Sequence, residues 1–258
     1  MKKLLISSLL FLMLIPLSVD ASSHGWGFKK NTNHQKPNVG IYEQMLEKYD
    51  AYYMDKSEDK VIYFTFDNGY EAGYTAPILD ILKRHEVPAA FFLTGHYVKD
   101  QAPLVKRMLK EGHIIGNHSD KHPDFTNLTK QAYEKELKSL ENLVKNVDEK
   151  AVMQYVRPPK GTFNEATLGW ANELGYIPVF WSLAIVDWEE KKKGGTYVYD
   201  QIMKQIHPGA IILLHTVSKD NLDALEPVIK KLKAEGYQFK SLDDLVLKDI
   251  LPKSVIGW

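Results

Sequence analysis

Five short stretches of this chain carry side chains that hydrolytic chemistry uses: Asp67-Asn68-Gly69, His118-Ser119-Asp120-Lys121-His122, Arg157-Pro158-Pro159-Lys160-Gly161, Asp187-Trp188 and His215-Thr216. An aspartate can take a proton from water, and an imidazole can deliver one to a leaving amine. Two histidines four residues apart can face one point if the backbone between them turns helically. Two imidazoles on a divalent ion leave room for an oxygen ligand and a water. The prolines after Arg157 fix the backbone beyond it, which holds the guanidinium and orients the following amides. Each stretch also has an ordinary explanation. Asp-Asn-Gly is common turn chemistry, the histidine pair could be a solvated loop, Arg157 a surface cation, Asp187 a solvated acid and His215 a core histidine bonded to backbone. The chain has no cysteine, which excludes disulfides, thiolate metal sites and cysteine nucleophiles. No Gly-x-Ser-x-Gly motif is present, which argues against a covalent serine esterase.

The elements that must position these groups are visible as pattern. Residues 61–66 are β-branched or aromatic throughout, as in a strand buried on both faces, and the run ends abruptly at Asp67. Strand-like runs follow at 89–93, 113–116, 154–156, 176–181, 210–214 and 237–240, separated by helical periodicity at 76–85, 102–111, 129–147, 165–174, 197–206 and 222–235. Gly112, Gly175 and Gly236 each follow an amphipathic run, where a helix stop is expected. Strands alternating with helices imply a parallel sheet. Pattern alone leaves an open doubly wound sheet and a closed or partly closed barrel both standing. No Gly-x-Gly-x-x-Gly turn follows the first strand, which weakens a dinucleotide-binding reading. In either fold the chemistry belongs at the carboxyl ends of the strands. All five stretches fall at such ends.

Lys plus Arg and Asp plus Glu number 33 each, so no net field draws the protein to nucleic acid or anionic lipid. A neutral partner fits best. Lys2-Lys3 precede an apolar run over 4–17, and Val19-Asp20-Ala21 offers small side chains where a signal peptidase reads. Pro16 interrupts a run already too short to span a bilayer. The expectation is a secretory signal peptide at 1–21, an N-terminal arm and helix at 22–59, one α/β domain at 60–248 and a tail at 249–258. Polar composition over 22–37 reads as a tether, with His24 and His34 solvated, and 41–53 reads as a peripheral helix.

Taken in order, the five stretches resemble the five motifs of the polysaccharide deacetylases of carbohydrate esterase family four, the nodulation-protein-B-like homology domain. The resemblance covers about 61–245, and it implies a distorted (β/α) barrel with about seven parallel strands in a single domain. It also implies roles: Asp67 as general base, Arg157 as its charge partner, His215 as general acid, Asp187 as the group that orients His215, and a backbone N–H near Lys160 as an oxyanion donor. His118, His122 and the residue at 68 would bind a divalent metal, zinc being the expected ion. Two positions depart from the family pattern. Asn68 stands where the family usually carries a second acid, which weakens zinc binding and admits other divalent ions. Lys160 stands where many members carry tyrosine, which bears on substrate fit. Both departures resemble the subgroup that deacetylates N-acetylmuramic acid of peptidoglycan during spore cortex formation. The implied protein is a secreted monomer acting on a peptidoglycan glycan strand, with no nucleic acid partner and no membrane anchor after cleavage. Trp181, Trp188, Tyr70 and Tyr74 are candidates for stacking on sugar. An N-acetylglucosamine deacetylase acting on peptidoglycan or chitin-like oligomers, and a wall-binding homologue without catalysis, are the competing readings.

Overall fold

The strand Val61–Asn68 is buried along its whole length, and the rest of the sheet is assembled on its two sides. The computed structural model describes residues 22–30, 33–187 and 193–251. The expected leader, Trp188 and residues 252–258 lie outside them. Ile62, Phe64 and Phe66 pack outward against helix residues such as Ile78, Leu137 and Val228. Val61 and Tyr63 pack inward with Ala90, Phe92, Tyr155, Val179 and Ile211. The period-two alternation of a strand creates both layers from one run.

The sheet runs in the order Ile177–Pro178, Tyr155–Val156, Ile114–Asn117, Ala89–Leu93, Val61–Asn68, Ala210–His215 and Leu183–Ala184, and Gln238–Phe239 pairs with the start of Val61–Asn68. Every neighbouring pair is parallel. The crossovers are helical, chiefly Thr75–Arg84, Ala102–Lys110, Lys130–Val147, Glu165–Glu173, Gly195–Gln205 and Lys219–Ala234. The architecture is the single-domain, distorted (β/α) barrel, here a curled half-barrel.

One expected strand is shorter than its apolar run, and the strand after it was not expected. The run over 176–181 forms Ile177–Pro178 on one edge of the sheet, and the next strand, Leu183–Ala184, lies on the opposite edge. The four residues between them span at most roughly 18 Å, so the two edges must approach and the sheet must curl. The remaining gap is filled by residues 52–55. Tyr52 N–H donates to Pro178 O at 2.9 Å, Phe180 N–H to Tyr52 O at 2.7 Å and Asp55 N–H to Gly209 O at 2.9 Å.

Residues 22–30 and 33–37 make defined contacts with the domain, contrary to the tether reading. His24–Gly25 pairs antiparallel with Thr162–Phe163, and Trp26 Nε1 donates to Trp181 O at 3.0 Å while its ring lies 4.8 Å from that of Phe180. His24 packs on Tyr42 and Phe163, and His34 Nδ1 bonds Ile206 O at 3.0 Å. Trp26 and Phe28 bury enough apolar area to anchor a segment whose average composition is polar. The peripheral helix is shorter than expected, Tyr42–Lys48. A last helix, Leu242–Ile250, closes the described chain behind a Ser241–Asp244 capping box.

Candidate active site

Asp67 and His215 are direct register partners at the carboxyl ends of adjacent parallel strands. Their side chains therefore leave the sheet on the same side, from strands about 4.8 Å apart. Arg157 reaches Asp67 from the end of Tyr155–Val156 and is fully buried. Its Nη1 donates to Asp67 Oδ1 at 2.7 Å, Nε to Val179 O at 3.0 Å and Nη2 to Phe180 O at 3.1 Å, with the guanidinium 4.1 Å from the centre of the Phe92 ring. Burial by itself pushes the Asp67 carboxyl up, but the charge of Arg157 above all outweighs it and holds the group below the usual aspartate range.

On the other flank, His215 Nδ1 donates to Asp187 Oδ1 at 2.8 Å, and the His215 N–H donates to Asp187 Oδ2 at 2.9 Å. Asn221 Nδ2 donates both to Asp187 Oδ2 and, at 2.9 Å, to His215 O. Burial pushes the imidazole down, but its hydrogen bond to Asp187 and the charge of that acid raise it above the ordinary histidine value. Two groups at one strand level are thus pushed in opposite directions, the pattern that sorts a base from an acid.

His118 and His122 converge without a helical turn. The loop between them bends through left-handed residues, Ser119 at φ 67° and His122 at φ 58°, and Ser119 Oγ accepts from the His122 N–H at 2.8 Å. The two rings sit edge to face, 4.9 Å apart. His118 Nδ1 donates to Arg157 O at 2.8 Å, so Nε2 carries the lone pair, 3.6 Å from Asp67 Oδ2. Burial pushes His118 down to about 4, which makes that approach a neutral contact at pH 7. His122 is lowered as well, again chiefly by burial.

Asp67, His118, His122 and His215 line one hollow with two lobes. One, of about 470 Å³, extends past Gly69, Tyr70, Thr94, His96, Asp120 and Lys121. The other, of about 380 Å³, extends past Lys160, Gly161, Trp181 and Leu213. Of the stacking candidates, Trp181 and Tyr70 line these lobes, whereas Tyr74 packs against the main core.

Asn68 is placed differently from Asp67, because successive strand residues face opposite sides. Its Nδ2 donates to Thr216 Oγ1 at 2.6 Å, and it does not line either lobe. Thr216 continues through Thr75 to Glu71, whose Oε2 also accepts from Tyr97 OH at 3.0 Å. Asn68 Oδ1 is buried and has no hydrogen-bond partner among the described residues. Nor, among those residues, do three His, Asp or Glu side chains alone form a metal-holding group. The imidazole pair, with a lone pair on His118 Nε2, supplies two nitrogen donors of the kind a divalent ion takes. Asn68, expected as the oxygen ligand, is turned away from that hollow toward Thr216 and is not placed with them.

Sequence reasoning did not find Asn221 or the Glu71–Thr75–Tyr97–Thr216 network. Asn221 lies in the first turn of a helix, where a polar residue normally signals only a helix start. Thr216 belongs to the His215-Thr216 stretch, but nothing local marks its hydroxyl as a partner of Asn68 and Thr75.

A profile of the polysaccharide deacetylase family matches residues 54–179. The chain belongs to that family. Peptidoglycan-N-acetylmuramic acid deacetylase PdaA of Bacillus subtilis (strain 168) is 52% identical over 225 residues, 86% of this chain and 86% of that one. An uncharacterized 30.6 kDa protein of Geobacillus stearothermophilus is 56% identical over 225 residues, 86% of this chain and 85% of that one. The solved structure of B. subtilis PdaA, a family 4 carbohydrate esterase, matches with a TM-score of 0.88 at 51% identity, over 90% of this chain and 100% of that one.

Proposed function

We propose that the chain hydrolyses the N-acetyl group of N-acetylmuramic acid in the glycan strand of peptidoglycan, freeing the amine that closes to muramic δ-lactam in spore cortex. One observation carries the reading. A carboxylate held ionised and an imidazole held toward its protonated form flank the same hollow, at Asp67 and His215. The 52% identity to a peptidoglycan-N-acetylmuramic acid deacetylase supports the choice of sugar.

Amide hydrolysis needs an activated water, a stabilised oxyanion and a proton for the departing amine. Asp67 Oδ1 is committed to Arg157, so Oδ2 takes the proton from water. His215 Nδ1 is committed to Asp187, so Nε2 delivers the proton to the amine as the C–N bond breaks. The Gly161 N–H is spent on Pro158 O at 3.0 Å, which leaves the Lys160 N–H as the oxyanion donor of this turn. His118 and His122 would hold a divalent metal, zinc by donor type, which when bound would polarise the acetyl carbonyl and acidify water. The leader expected at 1–21 puts this chemistry on the wall side of the membrane, as suits a glycan substrate.

The test is to incubate the purified protein with muramic-acid-containing glycan and to follow acetate release and the loss of one acetyl per product sugar by mass spectrometry. Asp67→Asn and His215→Ala each lower turnover by ~10²–10⁴-fold. Retained activity in both variants would refute the acid–base assignment, and acetyl loss confined to glucosamine would replace the substrate.

A further inference from the structure

Lys160 lines the hollow with a charge that the mechanism above does not use. It is exposed, it lines the lobe that also contains Asp67, His118, His122, His215 and Trp181, and no hydrogen bond or ion pair engages its ammonium among the described residues. Its charge is felt by His122 and by Asp124, both of which it pushes down. The acids nearby are already committed. Asp124 Oδ1 accepts from Thr126 and Thr162, Asp67 from Arg157, and Asp187 from His215 and Asn221.

The backbone at Lys160 points the same way. It is a non-glycine residue at φ 59°, held between Pro158-Pro159 and Gly161. Gly161 is itself fixed at φ 68°, where a Cβ would meet Trp181 at 3.0 Å and Trp26 at 3.1 Å. A side chain kept in a left-handed conformation costs free energy, and residues of that kind concentrate at ligand sites. An unneutralised cation on such a turn, facing the hollow, is suited to an anion that arrives with the substrate.

We propose that Lys160 determines specificity by pairing its ammonium with the lactyl carboxylate of muramic acid while the neighbouring acetamide lies between Asp67 and His215. The inference rests on the muramic reading of the substrate. Muramic acid differs from glucosamine only by the lactyl ether, carried on the ring carbon next to the one that bears the acetamide. Its carboxylate therefore cannot be far from the reacting amide, and the cation that reads it must line the same hollow. Lys121 is the other lysine there, but it belongs to the opposite lobe, with Thr94 and His96. Glucosamine presents nothing to neutralise Lys160, and a lactyl group whose carboxyl is tied up as an amide presents no charge.

The experiment compares acetate release from three oligomers of equal length: muramic glycan with free lactyl carboxylates, the same glycan with those carboxylates converted to methylamides, and chitin oligomer. The unaltered protein should favour the free carboxylate over the amide by about tenfold to a hundredfold in kcat/KM, the effect of one charge-assisted bond. The preference should shrink with added salt. Lys160→Gln should collapse the ratio toward one, mainly through KM on the free acid, and Lys160→Arg should retain it. Lys121→Gln should keep the ratio of the unaltered protein. A thermal midpoint for each variant identifies any loss of fold. If the unaltered protein deacetylates muramic residues but Lys160→Gln keeps the full ratio, or Lys121→Gln abolishes it, the proposal is wrong and the substrate reading stands. If the unaltered protein releases acetate only from chitin oligomer, both fall together.

Discussion

Replacing Arg157 by methionine tests whether one guanidinium both closes the barrel and charges the base. The substitution keeps an apolar stem over Phe92 but removes three hydrogen bonds, to Asp67 Oδ1 and to the carbonyls of Val179 and Phe180. Asp67 is only 7% exposed, so its carboxylate would be left buried without a counter-charge. Breaking a buried pair from one side costs about 3–5 kcal/mol, a large share of the roughly 5–15 kcal/mol that holds a domain folded. At about 2–4 °C per kcal/mol for a chain of this size, the midpoint of thermal unfolding should fall by roughly 6–20 °C. Asp67→Asn should cost about as much, because it strands the guanidinium instead. The decisive variant is Asp67→Asn with Arg157→Met, in which neither charge remains. Its loss should be smaller than the sum of the two single losses by about 3 kcal/mol or more. The assay is urea denaturation of all four proteins at one pH, followed by tryptophan fluorescence. Strictly additive losses would refute the reasoning, since they would mean that Asp67 and Arg157 do not stabilise each other.

Four further outcomes follow from the same geometry. The unaltered enzyme should lose kcat/KM as pH rises through the raised pKa of His215, and Asp187→Asn should move that alkaline limb to lower pH, because the charge that most opposes burial of the imidazole is then gone; a pH–rate profile for both proteins checks it. Gly209→Ala should destabilise by roughly 2–5 kcal/mol, since a Cβ there meets Asp55 O at 2.1 Å on a backbone at φ 78°; urea midpoints measure it. Burial raises the Asp55 carboxyl, but Lys248 and Ser57 lower it further, so its stabilisation is complete above its unfolded value of about 3.9 and is lost as pH falls through the depressed folded one. Lys248→Met should remove that part of the acid loss, read from urea midpoints between neutral and acid pH. Removal of divalent ions by a chelator should abolish acetate release, and His122→Ala should weaken zinc in a competition titration with a chromogenic chelator.

Strand and helix alternation was legible because its signals are local. The run 61–66 is apolar on both faces because both faces are covered, and Gly112, Gly175 and Gly236 sit at φ 82°, 81° and 85° directly behind helices. The clustering of polar groups at strand ends followed from the fold class. What periodicity could not show was where a continuous apolar run changes partners. Residues 176–181 look like one strand, but only Ile177–Pro178 forms one, and the chain then crosses to place Leu183–Ala184 on the opposite edge. Nor could average composition weigh Trp26 and Phe28, two side chains that anchor an otherwise polar arm. The histidine spacing predicted convergence correctly in outcome but through a helical turn, whereas the backbone uses two left-handed residues. At Asn68, strand alternation turns the side chain to Thr216, a partner 148 residues away that no local pattern can supply.

The break in the sheet and the chemistry are connected through Arg157. Where the chain leaves one edge at Pro178 and crosses toward Leu183, two of its carbonyls, on Val179 and Phe180, turn inward and lose any ladder partner. Buried carbonyls need donors, and a lysine, with its compact ammonium, could not reach both while also holding a carboxylate in one plane. The planar guanidinium does all three. The fully buried charge this requires then needs its own counter-ion, and Asp67 Oδ1, 2.7 Å from Nη1, supplies it. An ionised base inside the hollow is thus a consequence of how the half-barrel is closed, and any relative that closes its sheet by the same crossing should keep the arginine and the aspartate together.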